Sequence, residues 1–306
     1  MNATARRTAA YVALMPGVFV LLWSSGFVVA RLGMPHAPPL SFLALRFALS
    51  VLVFAVWVAW SGAKFPTDRG QWAHLAVVGM LLQAGYLGGI WAAVKLGMGA
   101  GTSALIAGLQ PVLTALWVAW GSRTPQRVAP RQWLGLVLGF GGLLLVVYDK
   151  LGIGEITPLN LLICVGALLA ITVGTLYQKR WVRPCDVRTA NLVQLCAAFA
   201  VMLPLSLFET EPIRPAPELI IAMVWSVIAL TLGASSLLYL LIQRGAATHV
   251  ASLMYLVPPC TALLAWLLFD EPLTVVVLLG LGATAVGVAL VVRVPMAAPA
   301  DRPPAR

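Results

Sequence analysis

The sequence has 306 residues, of which 61% are hydrophobic and 10% are charged, and its mean hydropathy is +0.94. Soluble domains carry about 25% charged residues. A soluble core of this size could not cover so much apolar surface, so the composition predicts a protein whose solvent is lipid. The formal net charge of +10 does not indicate nucleic-acid binding, because most of the basic residues fall in the connections predicted on one side of a membrane.

Ten apolar runs follow one another along the chain. Each is near the ~20 residues that an α-helix needs to cross about 30 Å of hydrocarbon. Membrane barrel strands would instead alternate apolar and polar residues over about ten positions, a pattern that is absent. The first run is too long for a secretory signal and lacks a small-residue cleavage site, so it predicts an uncleaved span. We predict spans 1 to 10 at 11–33, 40–60, 72–95, 101–121, 131–149, 157–178, 187–208, 219–242, 249–269 and 273–293.

The distribution of Lys and Arg predicts the orientation. With a cytoplasmic N-terminus, fifteen of the 20 basic residues fall inside, four fall outside and Arg46 lies within a span. Cytoplasmic loops of membrane proteins carry this excess. We therefore expect a multi-pass protein of the inner membrane with both termini in the cytoplasm. Residues 1–10 would form a cytoplasmic N-terminal segment, and residues 294–306 a disordered cytoplasmic tail.

The two halves of the chain, 11–149 and 157–293, repeat each other. Because each half has five spans, the second half would cross the membrane in the opposite direction. Such inverted repeats recur in secondary transporters, which bind substrates near the midplane between the halves. With a shift of 147 or 148, and of 145 after span 4, the matched pairs include Gly26 and Gly174, Arg46 and Gln194, Pro111 and Pro258, Thr114 and Thr261, and Gly135 and Gly280.

Prolines occupy matching places in spans 4 and 9. Pro111 and Pro258, with Pro259 beside it, each lie about 14–15 Å into the bilayer at ~1.5 Å per residue. A proline inside a helix removes one backbone hydrogen bond and crowds the carbonyl four residues earlier. These prolines are either simple kinks, which membrane helices tolerate, or paired points that bend during alternating access.

Arg46 is the charged residue that lies well inside a span. Ionisable residues inside membranes are costly and usually face an interior cavity. Three interpretations stay open: the side chain snorkels to the outer interface, it holds a substrate carboxylate or phosphate, or it caps carbonyls freed by a neighbouring kink. Gln194, its repeat equivalent, offers a neutral amide in the same role.

Other polar and aromatic residues gather in the spans. Each alone is typical of helix–helix hydrogen bonding, but together they predict an amphiphilic cavity. With Arg46, the candidate cavity residues are Trp23, Ser24, Gln83, Tyr86, Trp91, Gln110, Gln194, Tyr239 and Tyr255. The glycine spacing at 135–139 indicates helix packing, and it could equally serve a homodimer.

Several kinds of chemistry have no residues to support them in this sequence. No span carries a carboxylate in its middle, and there is no Walker-type phosphate loop. The cysteines and histidines lack the spacing of a metal site, and no nucleophile, base and orienting acid occur together. We therefore expect no catalytic residue, no metal and no cofactor, and a protein that is not an enzyme.

Four stretches carry a resemblance to a known family. They are LLWSSGFVVARLG (21–33), the arginine in LALRFAL (43–49), GTLYQKR (174–180) and TALLAWLLFDEPLT (261–274). The sequence resembles the EamA-type family of the drug/metabolite transporter superfamily over residues 11–293. The resemblance implies ten helices in two inverted five-helix repeats, a central cavity, and export or exchange of small metabolites such as amino acids. The acid that the family carries after span 4 is replaced here by Gly121-Ser122-Arg123.

The sequence therefore predicts an all-α integral membrane protein that acts as a secondary transporter by alternating access. Its partners would be a small organic solute, amino-acid-like or amphiphilic, and membrane lipid. Two alternatives stay open: a lipid-handling flippase, and a sensor or assembly protein that transports nothing. The acid pair Asp270–Glu271, which closes span 9 on the outer side, is interpreted as a helix end.

Overall fold

The computed structural model describes residues 3–121, 130–152, 154–234, 237 and 254–292. Within these ranges the chain folds into ten helices and no strand, which agrees with the predicted spans. The helices are α1 (Ala3–Gly33), α2 (Pro39–Ser61), α3 (Arg69–Lys95), α4 in two segments (Ala100–Ala107 and Gln110–Gly121), α5 (Pro130–Gly152), α6 (Pro158–Trp181), α7 (Val187–Ser206), α8 (Pro217–Ala234), α9 (Val257–Phe269) and α10 (Val275–Val292).

The lengths and composition of these helices suit a membrane. Among the described residues, seven helices are long and apolar enough to cross it, and the apolar parts of α1, α9 and α10 are shorter. Large apolar side chains such as Leu162, Val137 and Leu267 point outward from the bundle, as expected where the surrounding medium is lipid. The chain is an all-helical membrane protein. The predicted parts of spans 8 and 9 between 238 and 253 lie outside the described residues, as does the tail from 293.

Helix ends follow local sequence signals. Asp68 and Asp186 cap α3 and α7, each accepting a hydrogen bond of 2.9 Å from the backbone N–H two residues on. Thr157 and Asn160 form a reciprocal capping box at the start of α6. These caps satisfy backbone groups that lack partners in the first turn. Helix α1 starts earlier than the predicted span 1, at Ala3. Most of the segment predicted as the cytoplasmic N-terminus is therefore helical, and its Ala and Arg residues favour a helix.

Contacts between helices repeat from one half to the other. If each helix is exchanged for the one five places along, α1 against α8 becomes α6 against α3, and α1 against α9 becomes α6 against α4. The pairs α2–α7, α4–α9 and α5–α10 map onto themselves. This pattern is that of two five-helix repeats related by a twofold axis, and an odd number of crossings inverts the second repeat.

Glycines bring α5 and α10 into backbone contact. A methyl group added at Gly142 would lie 2.5 Å from the carbonyl oxygen of Gly280, and one at Gly287 would lie 2.5 Å from that of Gly135. The Thr284 hydroxyl donates to the Gly139 carbonyl at 3.4 Å. The glycine spacing at 135–139 therefore packs two helices of one chain, as small residues do between membrane helices.

The matched prolines lie in the first turns of helical segments, directly after interruptions of the helix. The helix of α4 is interrupted after Ala107, and Pro111 lies in the first turn of its second segment. Pro258 and Pro259 lie in the first turn of α9, after a 3₁₀ turn at Met254–Leu256. A first-turn residue needs no N–H, so proline costs nothing there. Both interruptions fall where the prolines were matched, and the part that the prolines play in bending stays a prediction.

The two interruptions touch each other. A methyl group added at Gly108, in the turn that interrupts α4, would lie 2.7 Å from Cγ of Pro258. The contact belongs to the α4–α9 pair, which the repeat exchange maps onto itself. The breaks in the two repeats therefore meet near the twofold axis.

Two further irregularities occupy equivalent helices. The middle of α3, Met80–Leu87, and the end of α8, Trp225–Ala234, are wound as π-helix. With the shift of 147 or 148 that relates spans 1 to 4 to their repeat equivalents, position 80 falls on position 227 or 228, inside the π segment of α8. Wide turns of this kind are rare and occur frequently at functional sites, so they direct attention to what α3 and α8 enclose.

Candidate functional site

A cavity of ≈ 410 Å³ lies between the two repeats. Its walls come from α1, α2, α3 and α4 of the first repeat and from α6, α7 and α8 of the second. The π segments of α3 and α8 face each other across it, and they present Gln83 and Tyr86 from one side and Leu230 and Thr231 from the other.

Seven of the ten candidate cavity residues line this space. The structure brings these seven side chains to one cavity, and their contact with a substrate stays a prediction. They are Trp23, Arg46, Gln83, Tyr86, Trp91, Gln110 and Gln194.

The other three candidates have different positions. Ser24 is fully buried between α1 and α9: its hydroxyl donates to the Val257 carbonyl at 3.4 Å, and its own carbonyl accepts from the Thr261 hydroxyl at 3.3 Å. Ser24 therefore joins two helices and does not line the cavity. Tyr255 lies on the 3₁₀ turn before α9 and packs against the core outside the cavity wall. Tyr239 is outside the described residues.

Three polar residues of the wall are not among the candidates predicted from the sequence. Thr231, Asn191 and Gln178 all line the cavity. Spacing could have found two of them, because Asn191 lies three residues before Gln194, and Gln178 three residues after Thr175. Residues three apart share a helix face. Thr231 had no such signal, since its direction depends on the π winding of α8.

Arg46 lies in the cavity wall with its hydrogen-bonding capacity largely unused. Its side chain is 95% buried, at 5% relative exposure. Nη2 donates to the Thr231 hydroxyl at 3.3 Å, and the guanidinium carbon lies 5.8 Å from the centre of the Trp91 ring. Nε has no hydrogen-bond partner among the described residues. The guanidinium therefore faces the interior and does not snorkel to the membrane surface.

Thr231 is held in turn by its own helix. Its hydroxyl donates to the carbonyl of Ser226, five residues earlier, at 2.9 Å, which is the spacing of a π turn. Because that proton is committed to Ser226, the oxygen is free to accept from Arg46. The π segment thus orients the one described hydrogen-bond acceptor of Arg46.

Aromatic rings close one end of the cavity. Trp91 is 1% exposed and stacks on Phe42, with ring centroids 4.5 Å apart and an interplanar angle of 23°. Ile90 beside it is also buried. Trp91 therefore serves both as cavity wall and as part of the packed core beyond it.

Carboxylates bind helix N-termini at this closed end. Glu209 accepts hydrogen bonds from the backbone N–H groups of Leu40 and Ser41, at 2.9 and 2.7 Å, and so caps α2. Glu271 accepts from the N–H of Ala100 at 3.0 Å, and so caps α4. Negative charge at a helix N-terminus is stabilising.

A second carboxylate joins Glu271 at the start of α4. Glu155 accepts from the N–H of Gly99 at 3.0 Å and from the Thr102 hydroxyl at 2.7 Å, while the buried Lys150 lies 2.7 Å from its other oxygen. The two acidic residues after α9 thus have different structural roles. Asp270 takes the left-handed turn that ends the helix, with φ 54, and Glu271 reaches across to α4.

The opposite end of the cavity is less closed. Its wall continues to Gln178 near the end of α6 and to Val187 at the start of α7. Neither residue is buried. The cavity therefore extends from the Trp91 end, deep in the bundle, to the α6–α7 connection.

The site has no constellation suited to a metal ion. Among the described residues, no group of three or more His, Cys, Asp or Glu side chains could hold one. The described part of the cavity wall contributes one charged group, Arg46, together with amides, hydroxyls and aromatic rings. This mixture suits the binding of a small amphiphilic molecule.

Known proteins resemble this chain along most of its length. The uncharacterized transporter YvbV of Bacillus subtilis strain 168 is 26% identical over 275 residues, 88% of this chain and 87% of that protein. The uncharacterized inner membrane transporter YedA of Escherichia coli strain K12 is 24% identical over 279 residues, 89% of this chain and 87% of that protein. A protein named probable amino-acid metabolite efflux pump, also from strain K12, is 25% identical over 161 residues, 53% of this chain and 51% of that protein.

A solved crystal structure supports the fold. It superposes with a TM-score of 0.64 and 17% sequence identity, covering 91% of this chain and 96% of its own. The EamA-like transporter family matches this chain twice, at residues 11–148 and 158–293. These ranges are the two halves between which helix contacts repeat and between which the cavity lies. The chain belongs to the EamA-like transporter family and is a membrane transporter.

Proposed function

We propose that this transporter exports or exchanges small organic metabolites by alternating access. The observation that carries the proposal is a cavity between two repeats that is closed at the Trp91 end and extends to the α6–α7 connection at the other. The distribution of Lys and Arg assigns the α6–α7 connection to the cytoplasm. A solute would then enter from the cytoplasm and leave on the outer side.

The relatives support the direction and the place. The Escherichia coli relative is named as an efflux pump, which favours outward movement of small metabolites. YedA is named as an inner membrane transporter, and we propose the same membrane for this protein.

The irregular helices suggest how the cavity would change sides. The breaks of α4 and α9 meet near the twofold axis, and the π segments of α3 and α8 line the cavity. Such interruptions leave backbone groups that can exchange partners, so they are natural bending points for the two repeats. Opening the outer end would require Glu209, Glu155 and Glu271 to release the helix N-termini that they cap.

Transport is tested in two steps. Comparing extracellular metabolites of a deletion strain and an overexpressing strain gives candidate solutes, and purified protein in liposomes preloaded with each labelled candidate then measures release. We expect release from protein-containing liposomes and none from protein-free ones. Absence of flux for every candidate, from protein that remains folded, contradicts the proposal. A co-purifying partner would then favour the sensor or assembly alternative, and movement of labelled lipid in its place would favour the flippase.

A further inference from the structure

We propose that the cargo is an organic monoanion whose carboxylate binds Arg46, with an uncharged amphiphilic body, and that it is not a zwitterionic amino acid. This inference rests on the proposed function, since it takes the cavity as the transport site. It names the charge class that the cavity selects.

The first step is the incomplete coordination of Arg46. A guanidinium carries five N–H donors, and in this buried group one described hydrogen bond, to Thr231, is made while Nε has no described partner. A buried charge without a partner is costly. A carboxylate can accept two parallel hydrogen bonds from the guanidinium fork and supplies the missing charge.

The second step is that the protein offers Arg46 no counter-charge. Among the described residues no carboxylate lies within 4.0 Å of it. The cavity wall contains neither Asp nor Glu, and residues 235–253, which lie outside the described ranges, contain neither in their sequence. All ten acidic residues lie in connections, at helix ends or in the tail: Asp68, Asp149, Glu155, Asp186, Glu209, Glu211, Glu218, Asp270, Glu271 and Asp301.

The third step follows from the charge balance. A monoanion neutralises the guanidinium of Arg46, the one cation among the described residues of the wall. An α-amino acid would also bring an ammonium group into a cavity that holds no carboxylate to pair with it, and a phosphate dianion would bring two negative charges to one cation. Desolvation penalises both mismatches. The cavity therefore favours a monocarboxylate over either.

The rest of the wall describes the body of the cargo. Trp91 contributes an aromatic edge to the wall beside Arg46, whose guanidinium carbon lies over its ring at 5.8 Å from the centre. Further along, Gln110 donates to the Thr175 hydroxyl at 3.1 Å, and Gln194 is also in the wall. The volume, ≈ 410 Å³, is near the lower end of the range for small-ligand pockets, about 300–1,000 Å³. An aromatic or aliphatic acid with a few hydrogen-bonding groups fits these features.

Binding of matched compounds to the purified protein tests the inference without transport. The probes are 3-phenylpropanoate, 3-phenylpropanamide, phenylalanine and phenethylamine, with benzoate and hexanoate as acids of other shapes, measured by calorimetry or thermal shift. We expect at least one of the acids to bind more tightly, by about tenfold or more, than the amide, phenylalanine or the amine. Loss of one charged hydrogen-bond pair weakens binding by about this factor.

Variants connect that preference to the residue. Arg46→Gln is expected to weaken acid binding by about tenfold to a hundredfold and to remove the preference over the amide, while Arg46→Lys keeps part of it. Arg69→Gln, at an exposed position at the start of α3, is the matched control and is expected to change neither. If Arg46→Gln does not fold, the comparison of compounds on the unaltered protein still decides.

Three outcomes overturn the inference: equal or tighter binding of phenylalanine, the amide or the amine, no binding of any of the three acids, or an acid preference that survives Arg46→Gln. Flux in liposomes separates this failure from failure of the proposed function. If an acid binds at Arg46 but nothing crosses the membrane, transport is wrong and the site is right. If phenethylamine crosses and the acids do not, transport is right and the anion site is wrong.

Discussion

Arg46 and Gln194, which are repeat equivalents in the cavity wall, differ in charge. Arg46 is a charged residue inside a membrane span, and none of the described carboxylates lies within 4.0 Å of it. Gln194, its repeat equivalent, lies in the same wall with a neutral amide. Each repeat therefore contributes a hydrogen-bond donor to the cavity. Only the donor from the first repeat is charged, so the two sides of the cavity differ in charge.

Cys185 reports which side of the membrane the α6–α7 connection faces. In a background with Cys164, Cys196 and Cys260 replaced by alanine, we expect a membrane-impermeant maleimide to label it only after the cells are permeabilised. Thr210→Cys, in the exposed α7–α8 connection, is expected to be labelled in intact cells. Labelling of Cys185 in intact cells would reverse the proposed orientation.

The rate of that labelling depends on pH in a defined direction. Burial raises the pKa of the Cys185 thiol, and the Asp186 carboxylate raises it further, against a lowering by the hydrogen bond from Gln71. Because the thiolate is the reactive form, labelling at pH 7 is expected to be slower than at an exposed cysteine and to rise as the pH increases. Asp186→Asn removes the neighbouring charge and is expected to raise the rate at pH 7. An unchanged rate would contradict the electrostatic part of this account.

In the α5–α10 helix pair, glycines bring the two backbones into contact. We expect Gly142→Ala to lower thermal stability, because its methyl group would lie 2.5 Å from the Gly280 carbonyl oxygen and force the helices apart. Overpacking of this kind costs about 1–3 kcal/mol. Melting of the detergent-solubilised protein measures it.

Gly141 provides the matched control for that change. A methyl group added there meets nothing within 4 Å, so Gly141→Ala is expected to leave the melting temperature unchanged or to raise it slightly, as alanine favours a helix over glycine. Equal melting of the two variants would show that α5 and α10 do not pack through Gly142.

The interrupted helices form the part of the molecule that we expect to move. Pro111→Ala restores a backbone N–H beside the break in α4 and favours a continuous helix. It is expected to slow transport several-fold while leaving solute binding within about twofold, because the change affects a bending point and not the cavity wall. Proteoliposome flux and calorimetry measure the two quantities. Pro204→Ala, inside α7 and outside the cavity wall, is the control and should preserve both.

The whole molecule is closed at one end by carboxylates that bridge distant segments. Glu209 comes from the connection after α7, Glu155 from that between the repeats and Glu271 from that after α9, yet they cap α2 and α4. Lys95 adds bridges to the Met34 carbonyl and to Glu211, at 2.9 and 2.8 Å. We propose that these contacts stabilise the conformation seen here over one that opens at this end.

Neutralising one of these carboxylates should shift that balance. We expect Glu271→Gln to raise the labelling of an Ile90→Cys reporter by an impermeant maleimide from outside, since Ile90 is 2% exposed here and becomes accessible when the Trp91 end opens. Hydrogen bonds to charged groups are worth about 1.5–3 kcal/mol, enough for a roughly tenfold or greater change in population. Glu218→Gln, at an exposed carboxylate on the same end, should have no effect. Equal labelling in both variants would remove Glu271 from the closure.

Particular residues show how far the sequence alone could go. The ten spans, the shift between repeats and seven cavity residues could be predicted, because apolar runs and buried polar residues are local features of the chain. The roles of Ser24 and Thr231 could not: Ser24 has the composition of a cavity residue but faces α9, and Thr231 faces the cavity only because α8 is wound as π-helix. Which face a residue occupies depends on the hydrogen-bond register of its helix, and a sequence does not display that register.

The sequence by itself determined that lipid is the solvent, that the chain crosses it repeatedly, that its halves repeat and that a lone arginine lies within it. Each of these follows from runs of residues that are contiguous or evenly shifted. Only the tertiary structure decided that the glycines at 135–139 pack within one chain, that the prolines begin helices, and that Glu271 caps a helix whose N–H lies 171 positions away. Backbone groups at helix ends, and methyl-sized gaps between helices, find their partners only when distant segments come together. The acid pair after α9 therefore looks like an ordinary helix end in the sequence, whereas in the folded protein its second member, Glu271, also caps α4.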